Sequence, residues 1–311
     1  MSEQKIPKIE LDDIVNPKLE AGGSAIVFQR HGVYNRDSSA VDAGSVSPES
    51  MATMSDHDKK FFHEILKQDD VYVLFVSSDT QYAGKGHRSL ETAQVAQDAA
   101  IEEMLEAGLD PTERILNLND SYSTARHDET DQDIRPMVGI REPQIFNPYD
   151  HSYLNHLQSA YGYANDEARS GLSPQAWAMH EMDAEKAFRE TTGAEGQEDL
   201  IARTKRSLAL LERYARIWHT ENRGKRLVIW AASHYDTINP IVKEANGVLR
   251  NDDGTLSDAY QPVDYGGGVI LNLPPENQGE VTLERRSGRL NIDLGVVATN
   301  SPVTRLNLPK H

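Results

Sequence analysis

Three short runs of uninterrupted apolar residues constrain this chain more than anything else in it. They are Ala25-Ile26-Val27-Phe28, residues 71–76 (VYVLFV) and residues 227–232 (LVIWAA). Side chains alternate across a sheet with period two, so a strand that is apolar at successive positions has both faces covered. The three runs are expected to be central strands of a sheet with helices on either side.

The segments between them read as helices. Ser55 is placed to cap a helix over 56–68 that carries Phe61, Phe62, Ile65 and Leu66 on one face. A second helix covers 88–107 and is closed by Gly108 and Pro111. Ser173-Pro174 opens a helix running to about 192 by cap and first-turn proline. A long helix over 198–222 has Leu200, Ile201, Leu208, Leu211, Tyr214, Ala215 and Trp218 at helical spacing. Residues 114–118 and 268–273 read as strands, and 281–286 with 289–294 as a hairpin about Ser287-Gly288. Asp236 can cap a helix after the third run. Residues 119–150 are rich in Asp, Ser, Pro and Arg, and read as loop; such long irregular segments inside a domain are usually functional or disordered. Residues 1–24 are polar and read as a tail. The order of elements is α/β, with a mostly parallel central sheet.

Composition narrows the chemistry. Of 311 residues none is cysteine. A disulfide scaffold, a thiolate nucleophile and a Cys-ligated zinc site are excluded. The formal net charge is −17, which opposes nucleic acid and anionic membranes over the general surface. An anionic substrate then needs a local cluster of cations. The charged N-terminus, MSEQKIPKIELDDIV, lacks the apolar core of a signal peptide, and no stretch approaches the ~20 apolar residues of a membrane helix. A cytoplasmic protein is the expectation. His127, His151, His156 and His180 lack spacings such as H-E-x-x-H, so no metal site is expected.

Open α/β sheets hold ligands outside the carboxyl ends of their strands. The first run leads into Gln29-Arg30-His31-Gly32. The second leads into Ser77-Ser78-Asp79, with Arg88 opening the next helix as Arg88-Ser89-Leu90-Glu91-Thr92-Ala93. The third leads into Ser233-His234-Tyr235-Asp236. Two histidines and two arginines can therefore converge although they lie far apart in the chain.

Arg30-His31-Gly32 after the first strand, Arg88 with Thr92-Ala93 after the second, and Ser233-His234 after the last core strand resemble the histidine phosphatase superfamily, in its phosphoglycerate-mutase-like branch. The resemblance covers about residues 25–240. It implies a three-layer α/β/α sandwich with a mostly parallel central sheet and an inserted, largely helical cap over about 119–225, within a domain spanning 25–311. It implies that His31 is the nucleophile and takes the phosphoryl group, while Arg30, Arg88 and His234 surround the phosphate. Fixed cationic donors stabilise the charge on the transferred group, and arginine supplies the planar fork that phosphate prefers. Attack needs His31 neutral at the attacking nitrogen, with its other ring nitrogen hydrogen-bonded to a carbonyl. Gly32 would let backbone approach the phosphate.

A leaving alkoxide needs a proton. Glu142, in Gly139-Ile140-Arg141-Glu142-Pro143, matches the family's Arg-Glu segment; Asp120, Asp128, Glu129, Asp131, Asp133 and Asp236 stay open as alternatives. Val33-Tyr34-Asn35 departs from the acidic-then-hydroxyl pair of the branch. Asn35, Arg36 and Ser233 are candidates for the substrate side, with Lys85, His87 and Arg126 as further cations near the pocket. The resemblance implies a phosphomonoester hydrolase acting on a small phosphorylated metabolite, with no cofactor and no metal. A phosphomutase of the same family, or a phospho-ligand binding module without a competent acid, is the alternative.

Overall fold

The protein is described from a computed structural model, over residues 19–78, 80–81, 84–116, 152–161, 176, 179–180, 182–234, 237–238, 265–273, 275, 280–285 and 288–293. Each of the three apolar runs forms a strand: β1 (Ser24–Arg30), β2 (Val71–Ser77) and β3 (Arg226–Ser233). The helices are α1 (Pro48–Ile65), α2 (Arg88–Glu106), α3 (Pro111–Arg114), α4 (Ser152–Tyr161), α5 (Lys186–Thr192) and α6 (Gln197–Glu221). Three more strands follow: β4 (Gly268–Leu273), β5 (Glu280–Arg285) and β6 (Gly288–Asp293). The six strands form one sheet in the order β2-β3-β1-β4-β5-β6.

The sheet is mixed, which corrects the expectation of a mostly parallel one. The β2–β3 and β1–β3 pairs are parallel, whereas β1–β4, β4–β5 and β5–β6 are antiparallel. The reason is connection length. Parallel neighbours need a crossover of about a dozen residues or more. Only Arg286 and Ser287 separate β5 from β6, and so short a link permits antiparallel pairing alone.

Alternation along the three inner strands sorts their side chains onto two faces. Ile26, Phe28, Leu74, Val76, Leu227, Ile229 and Ala231 meet Leu208, Leu211, Tyr214, Ala215 and Trp218 of α6. Ala25, Val27, Val73, Phe75, Val228 and Trp230 meet Phe61, Phe62 and Ile65 of α1 and the alanine-rich face of α2. Trp230 is fully buried, with the rings of Phe61 and Phe62 each 5.1 Å away. Burying side chains of this size contributes about 1.5–3 kcal/mol each. The start of α6 belongs to a separate apolar cluster, where Leu200 packs with Tyr153, Leu154 and Leu157 of α4. One helix therefore joins this smaller core to the sheet.

Two helix boundaries differ from expectation. The helix expected from 56 begins at Pro48, with the Ser47 side chain accepting from the Ser50 N–H. The buried face runs back through Asp58 and His57 to Met54, and those two polar residues interrupt the apolar spacing that periodicity registers. The helix expected to run unbroken to 192 is interrupted: Asp183 and Glu185 have φ of 51° and 56°. Left-handed residues cannot lie inside an α-helix. The segment expected as a strand from 114 is helical over α3 and then meets β2 through a single bridge, Val73 to Ile115. Asp236 lies outside the described residues.

Candidate active site

The exits of β1, β2 and β3 bring the predicted residues together. Parallel pairing sets Arg30 opposite Ser233 and Ser77 opposite Ala232, so all three strands end at one edge. His31 continues beyond β1, and its N–H donates to the Ser233 carbonyl at 2.9 Å. The N–H of Gly266 donates to the carbonyls of Arg30 and His31 at 3.1 and 3.3 Å. Gly266 has φ of 75°, a conformation glycine adopts without the steric cost a side chain brings. The backbone of the histidine is thus held from both flanks.

The His31 ring is buried, and its tautomer follows from its two hydrogen bonds. Nδ1 lies 2.9 Å from the Gly32 carbonyl, which can only accept, so Nδ1 carries the proton. Nε2 then presents a lone pair, and the Nε–H of Arg88 donates to it at 3.1 Å. Burial holds the His31 pKa well below the ordinary value of 6.5, and His234, Arg88 and Arg30 push it further down. The Gly32 carbonyl pulls weakly the other way. The ring is therefore neutral near pH 7, with its free nitrogen towards the arginines. No described carboxylate is among the groups that shift it.

His234 stands beside it, ring centroids 5.2 Å apart. Its Nδ1 accepts from Nη2 of Arg88 at 3.3 Å, which leaves the proton on Nε2. Nε2 reaches the hydroxyls of Ser78 and Ser89 at 3.0 and 3.3 Å, and the Ser78 hydroxyl passes its own proton on to Thr80 at 2.9 Å. Arg88 thus bridges both histidines from the first turn of α2. The loop before it is anchored: Lys85 donates to the carbonyls of Ser38 and Ala40, and the Gly86 N–H to that of Ala43. Lys85 serves the loop rather than the pocket.

Packing gives Gly32 a reason of its own. A Cβ there would lie 2.7 Å from Ser50 Oγ and Val46 Cγ1, and 2.8 Å from Met54 Cε. The glycine lets the turn pack on α1, while its N–H donates to Thr92 at 3.1 Å. Among the substrate-side candidates, Asn35 is committed to its own loop, donating to Asp42 and accepting from the Asp37 N–H. Ser233 is buried at the end of β3. Arg36 donates to the Tyr265 hydroxyl.

Sequence reasoning missed Tyr265 altogether and gave Tyr34 no role. Their ring centroids lie 5.5 and 5.3 Å from that of His31. The only signal for Tyr265 is its position before three consecutive glycines, which names no function. Glu142, the preferred acid, lies outside the described residues, as do Asp120, Asp128, Glu129, Asp131, Asp133 and Arg126. Among the described residues no group of three or more His, Asp or Glu side chains could hold a metal ion, and no helix is long and apolar enough to cross a membrane.

These features define an α/β protein with a cationic pocket built around a buried neutral histidine. No family model and no curated protein matches the chain. Among solved structures it is similar to one titled mycobacterial hydrolase 2, at 14% identity over 88% of this chain and 94% of that one, with a TM-score of 0.45. It is also similar to a mycobacterial glucosyl-3-phosphoglycerate phosphatase, at 12% identity over 80% and 90% with a TM-score of 0.40. A third is a putative alpha-ribazole-5'-phosphate phosphatase from Escherichia coli, at 13% identity over 86% and 96% with a TM-score of 0.36. A likeness of this degree assigns no residue a role.

Proposed function

We propose that the protein is a phosphomonoester hydrolase of the histidine phosphatase superfamily, working through a phosphohistidine at His31 Nε2. The observation that carries this reading is the pair of hydrogen bonds on His31. One places the proton on Nδ1, and the other sets a guanidinium against the lone pair of Nε2. A nucleophile with an anion clamp already at its reacting atom suits phosphoryl transfer.

The substrate phosphate displaces Arg88 from Nε2 and accepts from Arg30 and Arg88, and also from His234 once the His234 proton is on Nδ1, the nitrogen that faces Arg88 in the free site. The His31 lone pair forms the N–P bond as the ester P–O bond breaks. The leaving oxygen takes a proton from a carboxylic acid, with Glu142 the first candidate and Asp120, Asp128, Glu129, Asp131, Asp133 and Asp236 the alternatives. Water then attacks phosphorus and gives a proton to the carboxylate left by the first step, the N–P bond breaks with its electron pair returning to Nε2, and inorganic phosphate leaves with His31 neutral again. We read the architecture as an α/β/α sandwich with a cap that begins at about 119 and ends within α6 rather than at about 225, because Leu208, Leu211, Tyr214, Ala215 and Trp218 belong to the sheet's core. The net charge of −17 favours a small phosphorylated metabolite in the cytoplasm over nucleic acid or a membrane surface.

Rapid quenching of turnover on an aryl phosphate tests this. An acid-labile phosphate should be found on His31 by peptide mass spectrometry and should be absent from the His31→Ala protein. Turnover that survives His31→Ala overturns the reading. A phosphoenzyme stable to water but discharged by a second alcohol would favour the mutase, and phosphate binding without turnover the binding module.

A further inference from the structure

We propose that Tyr34 and Tyr265 are positioning residues for phosphate capture, each holding the guanidinium plane of one phosphate arginine against its ring. The proposal rests on the phosphate-pocket reading and adds two residues to it. The Cζ of Arg30 sits 3.8 Å from the Tyr265 ring centroid, and that of Arg88 sits 4.6 Å from Tyr34. Both tyrosine rings also lie against the His31 ring, at 5.3 and 5.5 Å between centroids.

Two physical arguments join these contacts to function. A guanidinium donates its hydrogen bonds in its own plane, so a ring on its face leaves the fork free for phosphate. The stack also removes rotations that a long side chain would otherwise lose on binding its ligand. In the free site, Arg30 and Arg88 both act electrostatically on the buried His31. The negative face of each tyrosine ring offsets the charge of the arginine stacked on it.

The rings are themselves anchored. Tyr265 is the residue before Gly266, whose N–H holds the carbonyls of Arg30 and His31. The ring is thereby set in register with the arginine it supports. Tyr34 pairs with Val46 in an isolated antiparallel bridge. Arg36 joins the two at the exposed side, its Cζ 5.5 Å from the Tyr34 ring and 5.9 Å from that of Tyr265, with a hydrogen bond to the Tyr265 hydroxyl.

Calorimetric titration with inorganic phosphate, alongside kinetics on an aryl phosphate, tests the assignment. Tyr265→Leu and Tyr34→Leu should each weaken phosphate binding and raise KM about tenfold, within the range of a partly desolvated cation–π contact, with a smaller change in kcat. Tyr265→Phe and Tyr34→Phe keep the ring face and should stay within about twofold of wild type in phosphate affinity. Tyr265→Met serves if the leucine variant does not fold. In an Arg30→Gln background, Tyr265→Leu should cost little further affinity, because the ring acts through that arginine. Equal losses in the Phe and Leu variants, no loss in either, or full additivity with Arg30→Gln overturns the proposal. A wild-type protein that binds phosphate without turnover removes the hydrolase reading and leaves the stacks supported or refuted by the binding data alone. A wild type that binds no phosphate overturns both.

Discussion

The Nε–H of Arg88 points at Nε2 of His31 across 3.1 Å. The resting site thus keeps its reacting lone pair under a hydrogen bond from the cation that would hold the substrate. A phosphate must take over that donor before phosphorus can reach the nitrogen. Replacing His31 by alanine should lower kcat on an aryl phosphate by at least about a thousandfold. Circular dichroism should register no loss of secondary structure, since β1 and its pairings end before the side chain.

The same contact sets a pH dependence. Attack needs neutral His31, so kcat/KM should fall as the ring gains a proton. Because the His31 pKa lies well below 6.5, that acid limb should appear below pH 6.5. Stability follows the same sign: between the lowered value and 6.5 the unfolded chain binds the proton that the folded chain refuses, so stability decreases as pH drops through this window. Arg88→Met removes one of the charges that depress the pKa. An NMR titration of the His31 imidazole should move upward in that variant while remaining below 6.5, since burial and His234 contribute more. An unchanged titration would count against the electrostatic account.

Gly32→Ala places a methyl group within 2.8 Å of Ser50, Val46 and Met54. Overpacking of this kind costs about 1–3 kcal/mol. The melting temperature should fall and activity should fall with it, because the turn that carries the Nδ1 acceptor is displaced. Met54→Ala in the same chain should recover part of the activity by opening room on α1.

Behind the site, Asp58 of α1 is buried and accepts from Gln29 at 3.1 Å, while the Trp230 indole donates to Gln29 at 2.9 Å. Burial raises the Asp58 pKa, against the pull of His57 and Gln29. Above an unfolded value of about 3.9, the unfolded chain releases a proton that the folded chain keeps. Stability therefore declines as pH rises from there to the raised folded value. Asp58→Asn should flatten that part of the denaturation profile, measured by urea midpoint across pH 4–7; an unaltered profile would show that Asp58 does not titrate there.

Much of this arrangement was legible because it rests on local rules. Apolar runs marked β1, β2 and β3, and the residues following such strands were the natural place for chemistry, which brought forward Arg30, His31, Arg88 and His234. The β5–β6 hairpin was legible from its short link, whereas the antiparallel placement of β4 beside β1 was not, because it pairs strands far apart in the chain. The early start of α1 was missed because polar His57 and Asp58 occupy its buried face between Phe61 and Met54. Tyr265 was beyond reach for another reason: its ring matters through the backbone bonds of Gly266 to β1, and a long-range contact of that kind leaves no periodic trace in the chain. The packing demand at Gly32 was equally out of reach, since the atoms it accommodates belong to residues 46, 50 and 54.

The two backbone ties at the β1 exit also bear on how the site comes into being. The His31 N–H waits for Ser233, and the Arg30 carbonyl waits for Gly266. During synthesis His31 emerges early, yet its backbone partners leave the ribosome only after most of the chain has been made. Contacts of such sequence separation form slowly and late. A nascent or truncated chain ending before β3 would carry Arg30, His31 and Arg88 with neither tie to hold them, so the turn at His31 is pinned only once the chain has been made through Gly266.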